Sequence, residues 1–186
     1  EAQRLVSALR LSSELRPSRR RRPSRRRTRG HPDLRSTVRR SIPTGGVLIR
    51  RAWQEPVDRP RRMVFLLDVS GSMEPYARGL ARFAHAAVSA RRSGRVEAFT
   101  MGTRLTRITR ELARRDPDAA LASAAQSVSD WSGGTRLGAS IQEFNDDWGV
   151  RGMARGAVVV ICSDGWDRGD PDLIGVEMAR LAREML

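Results

Sequence analysis

The sequence contains very little cysteine and no long apolar run. Cys162 is the only cysteine among the 186 residues, which excludes an internal disulfide and fits a reducing compartment. No apolar stretch approaches the roughly 20 residues that a membrane-spanning helix needs. No signal-peptide pattern opens the chain. We therefore expect a cytoplasmic protein without a membrane span.

Lysine is absent, so all 35 basic residues are arginines, and the formal net charge is +14. The excess lies in residues 1–62, because residues 63–186 hold 16 arginines and 16 acidic residues. The densest run, residues 16–29, has prolines, like charges and nothing apolar to bury, which predicts a disordered linker. The alternative is an arginine patch for nucleic acid or an acidic protein surface. Without aromatic residues for base stacking, nucleic-acid binding there would be mainly electrostatic and salt-sensitive.

Composition divides the chain near residue 60. Residues 1–60 form an Arg-rich segment that starts with a short amphipathic helix over residues 1–15 and continues into the linker at 16–29. Pro56 and Pro60 close this segment. Residues 61–186 are neutral overall and long enough for one well-cored domain.

Strand and helix patterns alternate through this second part. Three apolar runs predict strands, near residues 63–68, 96–101 and 157–162. Helical stripes lie between and after them. The turn at Gly102-Thr103 is so short that the following segment, 105–109, must be antiparallel to its neighbour. We therefore predict an α/β, three-layer Rossmann-like fold: a mostly parallel sheet with one antiparallel edge strand and helices on both faces.

Three polar loops stand at strand ends or helix starts of this predicted sheet. They are Asp68-Val69-Ser70-Gly71-Ser72, Gly133-Gly134-Thr135 and Ser163-Asp164-Gly165. Open α/β sheets bind ligands outside the carboxyl ends of their strands, where two aspartates can face each other. With the serine and threonine hydroxyls, these loops offer only oxygen ligands, which suit Mg²⁺ or Mn²⁺ better than zinc. We predict a metal site made of five residues: Asp68, Ser70, Ser72, Thr135 and Asp164.

Five sequence segments resemble von Willebrand factor A (VWA) domains with a metal-ion-dependent adhesion site (MIDAS), and more closely the CoxE-like group of bacterial VWA proteins. The segments are DVSGSMEPY (68–76), EAFTMGTRLTRIT (97–109), DWSGGTRLG (130–138), FNDDWG (144–149) and SDGWDRGD (163–170). The resemblance implies that Ser70, Ser72 and, in an open state, Thr135 coordinate Mg²⁺ directly. Asp68 and Asp164 would act mainly through bound waters. An acidic side chain of a partner would then complete the metal shell, which is binding and not catalysis.

The resemblance also implies partners. CoxE-like proteins typically accompany a MoxR-type AAA+ ATPase, and in carbon monoxide dehydrogenase systems the pair is linked to maturation of the copper–molybdenum site. The client metalloenzyme would present the acidic side chain. The family fold has at least one more strand after the helix at 171–186. We therefore expect a C-terminally truncated chain or a shortened relative.

Two other classes compete with this interpretation. A Mg²⁺-dependent phosphatase of the haloacid-dehalogenase type would carry a second aspartate where Ser70 stands, and a lysine for the phosphate, which this chain lacks. Nucleic-acid binding through residues 16–29 would survive removal of a metal, whereas the adhesion mechanism would not. We expect a non-enzymatic, chaperone-like interaction protein without a nucleic-acid partner.

Overall fold

The computed structural model describes residues 15–25, 30–47, 50–90, 96–128 and 134–185. It forms two compact units that divide between Pro60 and Arg61. Residues 1–14, which carry nearly all of the predicted N-terminal helix, lie outside the described residues. In the part of the chain that is described, no helix has the length and apolarity to cross a bilayer.

The smaller unit is a three-stranded antiparallel sheet with one helix. The strands β1 (Leu15–Ser24), β2 (His31–Pro32) and β3 (Trp53–Pro60) follow the spatial order β1-β3-β2. Helix α1 (Leu34–Ser41) continues into a 3₁₀ turn at Ile42–Thr44. Asp33 caps α1 by accepting from the Ser36 backbone N–H at 3.0 Å, which satisfies one of the free donors at the helix start.

The prediction of a disordered linker was wrong for residues 16–24, which lie in β1. The strand needs no apolar side chains because its backbone pairs with β3. Arg20, Arg21 and Arg22 are exposed. Glu55 of β3 accepts from Arg22 Nε and from Ser24 Oγ, both at 2.9 Å. Residues 26–29 of the predicted linker lie outside the described residues.

The larger unit contains a four-stranded sheet in the order β6-β5-β4-β7. Its strands are β4 (Met63–Asp68), β5 (Val96–Met101), β6 (Leu105–Arg107) and β7 (Val158–Cys162). The central strand β4 runs parallel to β5 and β7, and β6 runs antiparallel at the edge. The predicted fold class is confirmed, including the antiparallel edge strand.

Helices cover both faces of this sheet. They are α2 (Glu74–Ala90), α3 (Thr109–Leu112), α4 (Pro117–Ser127), α5 (Leu137–Phe144) and α6 (Pro171–Glu184), with a π-helical turn at Asn145–Gly149 directly after α5. The side chains of β4 alternate between two cores. Phe65 packs with residues of α2 and α4, whereas Leu66 packs with residues of α5 and α6. Since both faces are buried, β4 reads as a continuous apolar run.

This topology sets the position of the polar loops. In the parallel register, Leu67 of β4 pairs with Cys162 of β7. Asp68, the last residue of β4, and Ser163, directly after β7, therefore lie side by side at the carboxyl end of these strands. Thr135 precedes α5, and α5 covers the face of the sheet on which Leu66 lies.

Candidate metal site

Asp68 is the centre of the candidate site. Its side chain is fully buried, with 0 % exposure. Its Oδ1 accepts from the Ser70 backbone N–H at 2.9 Å and from Thr135 Oγ1 at 2.7 Å. Its Oδ2 accepts from Ser163 Oγ at 2.6 Å. These short contacts have the length of charge-assisted hydrogen bonds, so Asp68 holds all three loops together.

The remaining predicted residues form a second chain of contacts toward solvent. The hydroxyl oxygens of Ser70 and Ser72 lie 3.1 Å apart. The Ser72 hydroxyl hydrogen-bonds to the Asp164 carboxylate, and this bond is the main reason that the pKa of Asp164 lies below its usual value. The Trp166 backbone N–H adds a second donor to Asp164 Oδ1 at 3.0 Å. All five residues predicted from the sequence are therefore adjacent.

A tight turn places the two serines. Val69 is anchored to β5, because its N–H donates to the Met101 carbonyl at 3.1 Å. After Ser70 the chain enters a 3₁₀ turn at Gly71–Met73, in which the Met73 N–H donates to the Ser70 carbonyl at 3.0 Å. Met73 is buried. Its burial fixes the far end of the loop while Ser72 stays at the surface.

The loop before α5 is held by the loop after β7. The Arg168 N–H donates to the Thr135 carbonyl at 3.2 Å. Asp167 accepts from the backbone N–H of Leu137 at 2.9 Å and of Gly138 at 3.4 Å. Asp167 thus caps α5 from another loop, since the N-cap residue Arg136 provides no side-chain cap. Of the predicted loop Gly133-Gly134-Thr135, only Gly134 and Thr135 belong to the described residues.

The sequence-based prediction of the site did not include two residues that support it, Ser163 and Asp167. Ser163 was placed in a polar loop but was not assigned a role, although it donates to Asp68. The predicted strand ends could have indicated this role, because two neighbouring parallel strands that end at the same level place the residues at their ends side by side. Asp167 left no comparable signal, because its targets are backbone N–H groups 29 and 30 residues earlier.

The donor set fits a hard divalent cation. The three hydroxyls, from Ser70, Ser72 and Thr135, and the two carboxylates are all oxygen ligands. Thr135 and Asp68 are buried, whereas Ser72 and Asp164 are exposed, so the cluster has one closed side and one side open to solvent. Among the described residues, no group of three or more histidine, cysteine, aspartate or glutamate side chains is arranged to hold a metal. Hydroxyls would therefore provide most of the ligands here.

Two other side chains of reactive types, those of His85 and Cys162, are not part of the candidate metal site. His85 is buried in α2, and its Nε2 lies 3.0 Å from the Arg114 carbonyl, which is a packing role. Cys162 is the last residue of β7, and burial raises the pKa of its thiol. A raised pKa makes the thiolate scarce and the cysteine a poor nucleophile.

Comparisons with known proteins agree with the fold. The family model described as "VWA domain containing CoxE-like protein" matches residues 5–185. The curated proteins and the solved structures gave no significant match. Because the family match extends over nearly the entire chain, this protein belongs to the family of VWA domain-containing, CoxE-like proteins.

Proposed function

We propose that this protein is a Mg²⁺-dependent interaction module that recruits a partner through an acidic side chain. The observation that carries the proposal is the convergence of three loops on Asp68, with Ser72 and Asp164 left open to solvent. Mn²⁺ would serve equally, since it prefers the same oxygen ligands. The loops form a MIDAS in the sense of the VWA family.

Each residue has a distinct part in this proposal. Ser70, Ser72 and, in an open state, Thr135 would hold the ion directly, and Asp68 and Asp164 would hold it through waters. A bound Mg²⁺ supplies an electrophilic centre that a carboxylate from outside can complete. Asp68 orients the hydroxyls, because it already accepts from Thr135 at 2.7 Å and fixes the Ser70 backbone at 2.9 Å. The lowered pKa of Asp164 keeps it ionised at neutral pH.

Trp166 supports a protein partner at this site. Its side chain is 81 % exposed, although its backbone N–H is bonded to Asp164. Gly165, with φ of +83°, makes the turn that allows this bond. A pre-ordered, exposed tryptophan beside a polar cluster resembles the anchors that dominate protein interfaces. We infer that the partner presents its carboxylate next to an apolar pocket for the indole ring.

We further propose that the partners are a MoxR-type AAA+ ATPase and a client metalloenzyme, such as a carbon monoxide dehydrogenase-type molybdenum hydroxylase. Family membership supports a link to such systems. In this role the protein acts as a non-catalytic maturation chaperone in the cytoplasm. The hydroxyls of Ser70 and Ser72 lie 3.1 Å apart, and Ser72 hydrogen-bonds to Asp164, which supports a shared role as ligands of one ion.

The test is a pulldown of a purified MoxR-type AAA+ ATPase from the same organism, in Mg²⁺ and in EDTA. We expect recovery in Mg²⁺ and a loss of at least about tenfold in EDTA or in Ser70→Ala plus Ser72→Ala, because tenfold is only about 1.4 kcal/mol of binding. Ser89→Ala plus Ser123→Ala removes two hydroxyls elsewhere on α2 and α4 and should bind like the wild type.

Unchanged recovery with Ser70→Ala plus Ser72→Ala would show that partner binding does not depend on the metal site. Mg²⁺-dependent turnover of a phosphate ester that Asp68→Asn abolishes would instead favour the phosphatase alternative.

A further inference from the structure

Helix α1 has its apolar residues on the outside. Leu34, Val38 and Ile42 are 74 %, 58 % and 70 % exposed, whereas the buried residues of the helix are Thr37 and Ser41. Positions i, i+4 and i+8 lie on one side of a helix. They form an aliphatic stripe about 12 Å long, at 1.5 Å per residue. Scattered apolar residues on a surface are ordinary, but a continuous stripe marks an interaction site.

The inversion is built into the local fold. Thr37 Oγ1 accepts from the Ala52 N–H at 2.9 Å and donates to the Asp33 carbonyl at 2.7 Å. Ser41 Oγ donates to the Val38 carbonyl at 2.8 Å. The polar side of α1 is therefore held inward by hydrogen bonds. The helix cannot roll to bury the stripe without breaking them.

The surroundings of the stripe carry one sign of charge. Arg35, Arg39 and Arg40 are exposed on the same helix. Asp33 is the only acidic residue between residues 30 and 47, and both its oxygens accept from Ser36. Over residues 14–60 the sequence has fifteen arginines and four acidic residues. A partner surface must therefore be both apolar and anionic.

We propose that the stripe and its arginines adsorb to an anionic lipid bilayer. A helix with an aliphatic face, an Arg-rich polar face and low overall hydrophobicity lies in the interface between headgroups and acyl chains, and anionic headgroups attract the arginines. Nucleic acid would leave the aliphatic stripe without a role. A protein interface would normally supply both signs of charge and an aromatic anchor. Helix α1, Leu34–Ser41, contains no acidic and no aromatic residue. The inference does not depend on the metal site.

The test is co-sedimentation of the full chain with vesicles of phosphatidylcholine alone or mixed with phosphatidylglycerol. We expect binding only to the mixed vesicles, weakened by salt and unaffected by EDTA. Leu34→Ser plus Val38→Ser should reduce the partition coefficient at least about tenfold, because two aliphatic side chains no longer enter the bilayer. These side chains are exposed, so far-UV circular dichroism and the unfolding temperature should not change.

Val150→Ser plus Val176→Ser is the matched control, because it removes two side chains that are equally exposed in the other unit. It should bind as the wild type does. Failure of the wild type to bind mixed vesicles would overturn the proposal. Equal binding by the stripe variant would also overturn it, since arginines alone would then explain adsorption. Tight binding of single-stranded RNA that ignores the stripe and exceeds vesicle binding would reassign the surface to nucleic acid.

Discussion

Asp68→Asn keeps the shape of the buried side chain and removes its charge. The asparagine Oδ1 can still accept from the Ser70 N–H and from Thr135 Oγ1. Its amide nitrogen would face Ser163 Oγ, and this hydroxyl can turn to accept where it now donates. The variant loses charge assistance in three hydrogen bonds but no longer buries a carboxylate, and these two effects oppose each other. Without metal we expect a change of about 1 kcal/mol or less in the free energy of unfolding.

Mg²⁺ should stabilise the wild type more than it stabilises Asp68→Asn. A ligand at 100 times its Kd stabilises the folded state by about 2.7 kcal/mol. For a chain of this length, 1 kcal/mol moves the unfolding temperature by roughly 2–4 °C. We therefore expect Mg²⁺ to raise the wild-type unfolding temperature by about 5–11 °C. Asp68→Asn should show less than half of this increase, because the buried negative charge that favours the ion is gone.

Circular dichroism during thermal unfolding, in EDTA and along a Mg²⁺ titration, measures both effects. Asp147→Asn is the control, since it removes one exposed carboxylate from the π-helical turn. Equal Mg²⁺ shifts in wild type and Asp68→Asn would show that Asp68 does not favour the ion. A wild type that Mg²⁺ does not stabilise would contradict the metal site itself.

Three further predictions concern the supports of the site. Thr135→Val should lower the free energy of unfolding in EDTA by about 1–3 kcal/mol, because a buried hydrogen bond to Asp68 is lost. Urea denaturation measures this loss, and an equal loss in Thr135→Ser, which keeps the hydroxyl, would contradict the prediction. Asp167→Ala should cost about 1 kcal/mol by removing the cap of α5, and Asp167→Asn much less; unchanged urea midpoints would disprove the capping role. Ser72→Ala should raise the pKa of Asp164, which is lowered mainly by the Ser72 hydroxyl. Because this pKa is depressed, the stability that Asp164 contributes is present at neutral pH and lost as pH falls through its folded value. In Ser72→Ala the loss is smaller and is complete at a higher pH, because the folded pKa of Asp164 lies closer to its unfolded value. Carboxyl NMR titration measures this pKa, and an unmoved value would contradict the prediction.

The larger unit could be predicted from the sequence because its signals are local. The apolar run before Asp68 does not alternate with polar residues and is too short for a buried helix, so a buried strand was expected to end where the polar residues begin. Asp116-Pro117 and Asp170-Pro171 each combine a capping residue with a proline that suits the first helical position, and α4 and α6 start there. The adjacency of the five site residues followed from strand ends at one edge of a sheet.

What could not be predicted depends on distant partners. Strand β1 has no apolar alternation, and its order comes from pairing with residues of β3 that lie about 29 to 45 positions away along the chain. Leu137, Ile141, Phe144 and Trp148 keep helical spacing, which favours one continuous helix through Trp148, whereas α5 gives way to a π-helical turn after Phe144. In that turn Asn145 donates to Glu177 of α6 at 2.8 Å. Such tertiary contacts can change the type of helix locally. A single sequence shows the spacing of apolar residues but not these contacts.

The central place of Asp68 has a consequence for how the protein is made. During synthesis Asp68 leaves the ribosome 67 residues before Thr135 and 95 residues before Ser163. At typical translation rates the second interval lasts about 5–20 s. During that time β4 lacks its neighbour β7 and the Asp68 carboxylate lacks Ser163, and for the first 67 residues it lacks Thr135 as well. The site therefore forms only after β7, the last of the described strands, has paired with β4, so an intact site reports that this pairing has taken place.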